Sequence, residues 1–380
     1  MKILFISHCR EQSGVGRAAR EYLHSMLVAG LDVVSRPIKL GLVGSIEPEL
    51  EVLEKKSAEG CTHCIQFLLP HHMRFDGTFE KCVALFDYEC EHFQSSGWPY
   101  ILDMFNDVWV PSTDAARQAI QSGIEGKKVR VVPHAVNPKR YEGQFKNILG
   151  GDDSFVFYFI GEANNRKGIG SLIKAFHSEF GVDEGVSLLL KINKFGIAPD
   201  KLKQEMSGYI NQIKTALKIY PRVEGYKQET LICDYLSEEN ILNLHNSCHC
   251  LISPSHGEAF NYTVLDALGM GKPCIVSDCG GHQDLVSNFS DGEPNGYKVQ
   301  GQFSPVEGML ETFNGLSTGL ESWFDIDISN LKFDMRQMFI AWSAGNQYGE
   351  FYKNAKKVPE RFSREVVGNK IKELLSASNR

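Results

Sequence analysis

Twice along this chain, short and almost unbroken apolar runs alternate with helical patterns, and a stretch rich in Pro, Gly and polar residues separates the two series. The first series has strand-like runs at Lys2–Ser7 (KILFIS), Asp32–Ile38, Thr62–Leu68, Lys81–Phe86, Asp107–Val110 and Lys128–Val132. A helix is predicted over Val15–Ala29, stopped by Gly30. Strands covered on both faces read as continuous apolar runs, and their alternation with helices predicts a mostly parallel sheet. The second series has strands at Ser154–Ile160, Ser187–Ile192, His249–Ile252 and Pro273–Ser277. Since 380 residues exceed one ordinary core, two domains are expected. The boundaries read as a Rossmann-like domain over 1–140, a linker over 141–153, and a second Rossmann-like domain over 154–358. A closing segment over 359–380 follows, amphipathic from Phe362 to Leu375 with a Ser at the cap position. The fold class expected is therefore α/β, two parallel-sheet domains facing a central cleft, with ligands at the carboxyl ends of the strands.

Composition excludes several classes. A hydrophobic share of 42% and a charged share of 23% are those of a soluble globular protein. A net charge of -7 argues against a nucleic-acid surface as the main one. No apolar run approaches the ~18 residues of a membrane span. Ten cysteines are scattered rather than framed, which suits a reducing compartment. The reading places the chain in the cytoplasm, free or held peripherally at the inner membrane face. Metal-like clusters at Cys61-Thr62-His63-Cys64 and at His245, Cys248, His249 and Cys250 lack the second pair that a structural zinc site needs. No metal is expected. The interrupted basic run Lys127, Lys128, Arg130, Lys139, Arg140 reads as a solvated face.

Three turns carry candidate chemistry. The first, His8–Arg17 (HCREQSGVGR), joins a strand to a helix, and Gly14 and Gly16 let backbone approach a ligand closely. It lacks the G-x-G-x-x-G spacing, and the following strand ends without an acid for a ribose, so a nicotinamide enzyme is disfavoured. The second, Gly161–Gly168 (GEANNRKG), follows a strand and opens a helix. Cations at a helix start oppose its dipole, so Arg166 and Lys167 point to a bound anion such as a diphosphate. The third begins at Gly257 (GEAFNYTVLDALGMGKPCIVSDCGG). A helix starting near Asn261–Thr263 would aim the N–H groups of Phe260, Asn261, Tyr262 and Thr263 at a second anion position. Glu258 before that start and Asp266 on the helix are acceptors for hydroxyl pairs. Lys191 and Asn193, ending another strand, are further phosphate or sugar contacts. His71, beside His72 after Pro70, reads either as a cleft residue or as plain loop.

In this order, SGVGR, NDVWVPS, VRVVPHAVN, GEANNRKGIGSLIKAF, SPSHGEAFNYTVLDALGMGKPCIVSDCGG and FSREVVGNKIKELL resemble the retaining glycosyltransferases of family 4, which have the GT-B fold. The resemblance implies that Glu258 contacts the donor sugar and Asp266 the ribose. It implies that Arg166, Lys167 and the amides of 260–263 hold the diphosphate, and that Gly14 and Gly16 close over the donor. It also implies that the last helix packs back on the first domain. The chain departs from the family pattern in four places. Asp266 stands where the Glu-x7-Glu pair has its second Glu. Glu162 follows Gly161 where Arg is common. Phe86-Asp87-Tyr88-Glu89 replaces a His-Asp after the fourth strand, leaving Asp87, Glu89 or Glu91, or none of them, to serve on the acceptor or anomeric side. His134-Ala135-Val136-Asn137 replaces Asn-Gly-Val-Asp.

The function expected is transfer of a sugar, with retention, from a UDP- or GDP-sugar co-substrate to a hydroxyl of a carbohydrate, a lipid-linked sugar or another acceptor. No other cofactor is expected. Two alternatives share the fold: a sugar-nucleotide epimerase and a non-catalytic nucleotide-sugar binder.

Overall fold

The computed structural model describes residues 1–39, 41, 44–150, 154–306, 320–345 and 347–377. The last three residues of the expected linker, 151–153, lie outside them. The chain divides into two compact units, Met1–Lys139 with Pro359–Arg380, and Arg140–Val358.

The first unit runs β1 (Lys2–Ser7), α1 (Gly14–Val28), β2 (Asp32–Pro37), α2 (Pro48–Lys55), β3 (His63–Phe67), β4 (Lys81–Leu85), α3 (Trp98–Asp103), β5 (Asp107–Val110), α4 (Thr113–Gln121) and β6 (Val129–Val131). Its six strands are parallel in the order β2-β1-β3-β4-β5-β6. Every residue of β3, β4 and β5 is buried, which explains their unbroken apolar runs. Even the Lys that opens β4 is satisfied inside: Lys81 Nζ lies 2.8 Å from Asp107 Oδ2. Ser13 and Ser112 cap α1 and α4 by accepting from backbone amides one turn on.

The second unit holds β7 (Phe155–Glu162), α5 (Ile169–Glu179), β8 (Val186–Asn193), α6 (Pro199–Leu217), β9 (Thr230–Ile232), α7 (Glu238–Ser247), β10 (Cys250–Ser253), α8 (Tyr262–Gly269), β11 (Cys274–Ser277) and β12 (Gly296–Val299). Its parallel sheet has the order β12-β11-β10-β7-β8-β9. An antiparallel pair, β13 (Gly301–Pro305) with β14 (Ser322–Ile326), stands outside that sheet. Helices α9 (Ile328–Ser343) and α10 (Gln347–Ala355) follow. Phe155, Phe157, Phe176, Leu188 and Leu190 make the centre of a core that α5, α6 and α9 cover.

The final helix, α11 (Arg364–Ser376), belongs to the first unit. It packs on α1 so closely that a Cβ on Gly368 would lie 2.1 Å from Ser25 O. Arg364 seals the contact with a two-pronged pair to Glu21, at 2.7 and 3.0 Å.

Candidate active site

In the second sheet β7 lies between β10 and β8, so the connections leaving β7 and β10 diverge and open a crevice at their carboxyl ends. Such a switch point is where open α/β sheets bind ligands. Both cation-bearing and acid-bearing turns emerge there. After β7, a single 3-10 turn over Asn165–Lys167 carries Arg166 and Lys167. The Asn164 side chain caps it by accepting from Lys167 N. Gly168 closes it at φ 63°, and a Cβ there would meet Pro254 O at 2.1 Å, so only glycine fits.

Glu258 sits opposite on the turn after β10, 5% exposed. Lys167 Nζ donates to its Oε1 at 2.6 Å, and Arg166 Nη1 lies 3.3 Å from its Oε2. Arg166 Nη1 also donates to Gly257 O at 2.7 Å. Burial by itself would raise the Glu258 carboxyl. The Lys167 and Arg166 charges and hydrogen bonds from Lys167 and Ser255 outweigh it, and the group is held down to about 2. The carboxylate is therefore ionised at any physiological pH, and two cations converge on it in a water-poor turn.

The turn holding Glu258 rests on two glycines that sequence reasoning quoted without assigning a role. Gly281 N donates to Glu258 O at 2.6 Å. A Cβ on Gly281 would lie 2.0 Å from Ala259 O, while Gly280 has a φ of +87°. Paired glycines directly after a strand were the available signal. Asn261 then caps α8 in a left-handed conformation, φ 85°, one of two described non-glycine residues with positive φ. Its side chain accepts from Val264 N at 3.2 Å and donates to Ser253 Oγ at 2.9 Å. Backbone held in such a region by two side-chain bonds is a mark of functional turns.

Asp266 lies on α8, 4% exposed. Tyr141 Oη donates to its Oδ1 at 2.6 Å, and Arg140 Nε stands 3.7 Å from the same oxygen. The Tyr141 ring lies so close to the helix that a Cβ on Gly269 would come within 2.6 Å of it. Asp266 thus clasps the start of the second unit to α8. Since a hydrogen bond to a charged group contributes ~1.5–3 kcal/mol, Tyr141→Phe and Asp266→Asn should each destabilise the protein by about that much. In a double-mutant cycle followed by thermal unfolding, the pair should cost little more than either change alone. Additive losses would show that the two side chains do not act together.

Lys191 and Asn193 end β8, where Asn193 pairs in register with Glu162. Burial depresses the Lys191 ammonium, partly offset by Cys233 and Asp234. Five groups named from the sequence, Arg166, Lys167, Lys191, Asn193 and Glu258, therefore share one sheet end.

The remaining candidates belong to the first unit. Gly16 is required by packing, since a Cβ would meet Glu11 O at 1.9 Å, whereas Gly14 faces nothing within 4 Å. His71 lies in the 3-10 turn Pro70–His72 and stacks on Trp98 at 6.0 Å. Burial, with His72 beside it, lowers its pKa. Two of the four departures meet in space: His134 Nε2 donates to Asp87 Oδ1 at 3.0 Å. Glu89, two residues after Asp87, is half-buried. Nine of the ten thiols are buried and none is in a disulfide. Among the described residues, no three His, Cys, Asp or Glu side chains are grouped to hold a metal ion. No helix among them is long and apolar enough to cross a membrane.

The switch-point geometry has counterparts in known proteins. Residues 154–302 match the family model of the glycosyl transferases, group 1. With the two parallel sheets, the fold is GT-B. The Anabaena protein HepE, solved with UDP and glucose, superposes with a TM-score of 0.64 at 15% identity, covering 99% of both chains. Sucrose-phosphate synthase of Thermosynechococcus elongatus superposes with a TM-score of 0.63 at 15% identity, covering 99% of this chain and 98% of that one. An uncharacterized glycosyltransferase of Methanocaldococcus jannaschii is 23% identical over 174 residues, 43% of this chain and 40% of its own length. The chain thus spans less than half the length of that curated relative.

Proposed function

We propose that this GT-B protein is a retaining glycosyltransferase of family 4 that moves a sugar from a UDP- or GDP-sugar to an acceptor hydroxyl. The observation that carries this reading is the convergence of Arg166 and Lys167 on the buried Glu258 at the β7/β10 switch point. A nucleotide sugar has both groups such a site wants, a diphosphate for the cations and sugar hydroxyls for the carboxylate. The match of residues 154–302, and the UDP and glucose bound by HepE, support it.

Cleavage of the bond between the anomeric carbon and the phosphate oxygen leaves the electron pair, and so negative charge, on the diphosphate. Arg166, Lys167 and the amides at the start of α8 take up that charge, so departure of the leaving group is served without a divalent metal. Glu258, ionised, accepts hydrogen bonds from donor-sugar hydroxyls. The acceptor oxygen bonds to the anomeric carbon on the face the phosphate leaves, and its proton passes to the departing phosphate oxygen. Asp266 acts by fixing α8, and with it residues 260–263, against Tyr141.

A thermal-shift screen of UDP-, GDP- and ADP-sugars tests the donor class. A UDP- or GDP-sugar should raise the unfolding midpoint, since at 100 times its Kd a ligand contributes about 2.7 kcal/mol. No shift with any of them at millimolar concentration would sink the reading.

A further inference from the structure

Lys191, near the end of β8, is 4% exposed, and among the described residues it has no hydrogen bond or ion pair. The alternation along β8 explains why. Leu188, Leu190 and Ile192 enter the core that α5, α6 and α9 cover, so Lys191 and Asn193 stand on the other face. In register with Lys191 are Ile160 on β7 and Ile232 on β9. Two isoleucines supply no counter-charge, and a buried ammonium without one costs stability. The stem is buried, while the ammonium at its tip keeps access to solvent.

The strand order decides what part of a ligand can reach it. Along its carboxyl ends the sheet runs β10-β7-β8-β9, with neighbouring strands ~4.8 Å apart. Glu258 follows β10, Arg166 and Lys167 follow β7, and Lys191 lies near the end of β8. A nucleotide sugar is itself a row of sugar, diphosphate and nucleoside. With its sugar at Glu258 and its diphosphate at the two cations, the nucleoside extends over β8 and β9. The loops there carry two exposed aromatic side chains, Phe195 after β8 at 72% and Tyr235 after β9 at 64%. Every base can stack on such a face, so selection among bases falls to Lys191. An ammonium offers three donors and no acceptor. Uracil and guanine meet it with a carbonyl oxygen, whereas adenine sets an amino donor beside its N7.

We propose that Lys191 selects the donor by its base, donating to a carbonyl oxygen of a uracil or guanine stacked against Phe195 and Tyr235, and that adenine is refused. The proposal rests on the glycosyltransferase reading, since the sugar and diphosphate contacts orient the nucleotide. It gives a role to a buried charge that the transfer chemistry leaves unused.

The test measures the affinity of the full chain for UDP, GDP, ADP and inorganic pyrophosphate by calorimetry. Wild type should bind UDP or GDP about tenfold or more tightly than ADP. Lys191→Met should bring the favoured nucleotide down to the level of ADP, a loss of about tenfold or more, while ADP and pyrophosphate change by less than about twofold. Without nucleotide, this variant should unfold at the wild-type temperature or above it, because an apolar side chain of similar length replaces a buried charge. The surface pair Phe195→Ala with Tyr235→Ala should weaken the favoured nucleotide about fivefold or more and leave pyrophosphate unchanged. Several results would each overturn the base site and leave the diphosphate grip standing. They are ADP bound by wild type as tightly as UDP and GDP, an unchanged preference in Lys191→Met, an equal loss of pyrophosphate and nucleotide, and a Lys191→Met midpoint well below wild type. Wild type that binds none of the four ligands would instead remove the grip at β7 and the base site together.

Discussion

Lys167→Ala is expected to lower the rate of sugar transfer by about 10²–10³-fold, the usual cost of removing one preorganised group that stabilises charge in a transition state. Lys167 is placed for this by its own backbone: the 3-10 turn ends in Gly168, whose close approach to Pro254 O no other residue could make. Its ammonium sits 2.6 Å from Glu258 and is 19% exposed, so it acts in a partly desolvated setting where a charge has more effect than in water. Arg166 is more deeply buried and is also bound to Gly257 O. Its removal should therefore cost more stability than that of Lys167, which makes Lys167 the cleaner probe.

Glu258→Gln should show a large pH-dependent effect on stability. The Glu258 carboxyl is depressed from 4.5 to about 2 by Lys167 and Arg166 against the opposing effect of burial. A depressed acid stabilises the folded state fully above its unfolded pKa and loses that contribution as the pH falls through the folded value. The window is thus from about pH 4.5 down to about 2, and a shift of this size is worth on the order of 3 kcal/mol. At neutral pH the Gln variant, with two cations left facing an uncharged amide, should be less stable than wild type by a similar amount. Below pH 4.5 the gap should narrow. Thermal unfolding midpoints measured from pH 7 to pH 3 would check this. A constant gap across that range would show that Glu258 is not the carboxylate holding the pair together.

Strands β3, β4, β5, β10 and β11 were legible because every residue in them is buried, which leaves a run of apolar residues with few other readings. Strands β9 and β13 were not. Thr230–Ile232 has three residues, none of them fully buried. In the outlying hairpin, Gly301–Pro305 is largely exposed, and without apolar content there is no periodicity to read. The cation turn and Glu258 were legible because Arg-Lys at a helix start contradicts the dipole, a conflict visible in one line of sequence. Contacts between distant positions were hidden. Tyr141 meets Asp266 across 125 positions, and Asp87 meets His134 across 47. A single sequence contains no signal that pairs them. Asp266 shows the consequence: the sequence offered it as an acceptor for hydroxyls, and the fold supplies the Tyr141 hydroxyl as one that it holds.

The most direct test of the central claim is release of nucleotide diphosphate from the stabilising sugar donor, followed in parallel for wild type and Lys167→Ala. The site described at β7 and β10 predicts steady release by wild type, faster with acceptor, and a loss of about 10²–10³-fold in the variant when both are assayed well below the variant's unfolding midpoint. Equal rates from the two proteins would contradict it.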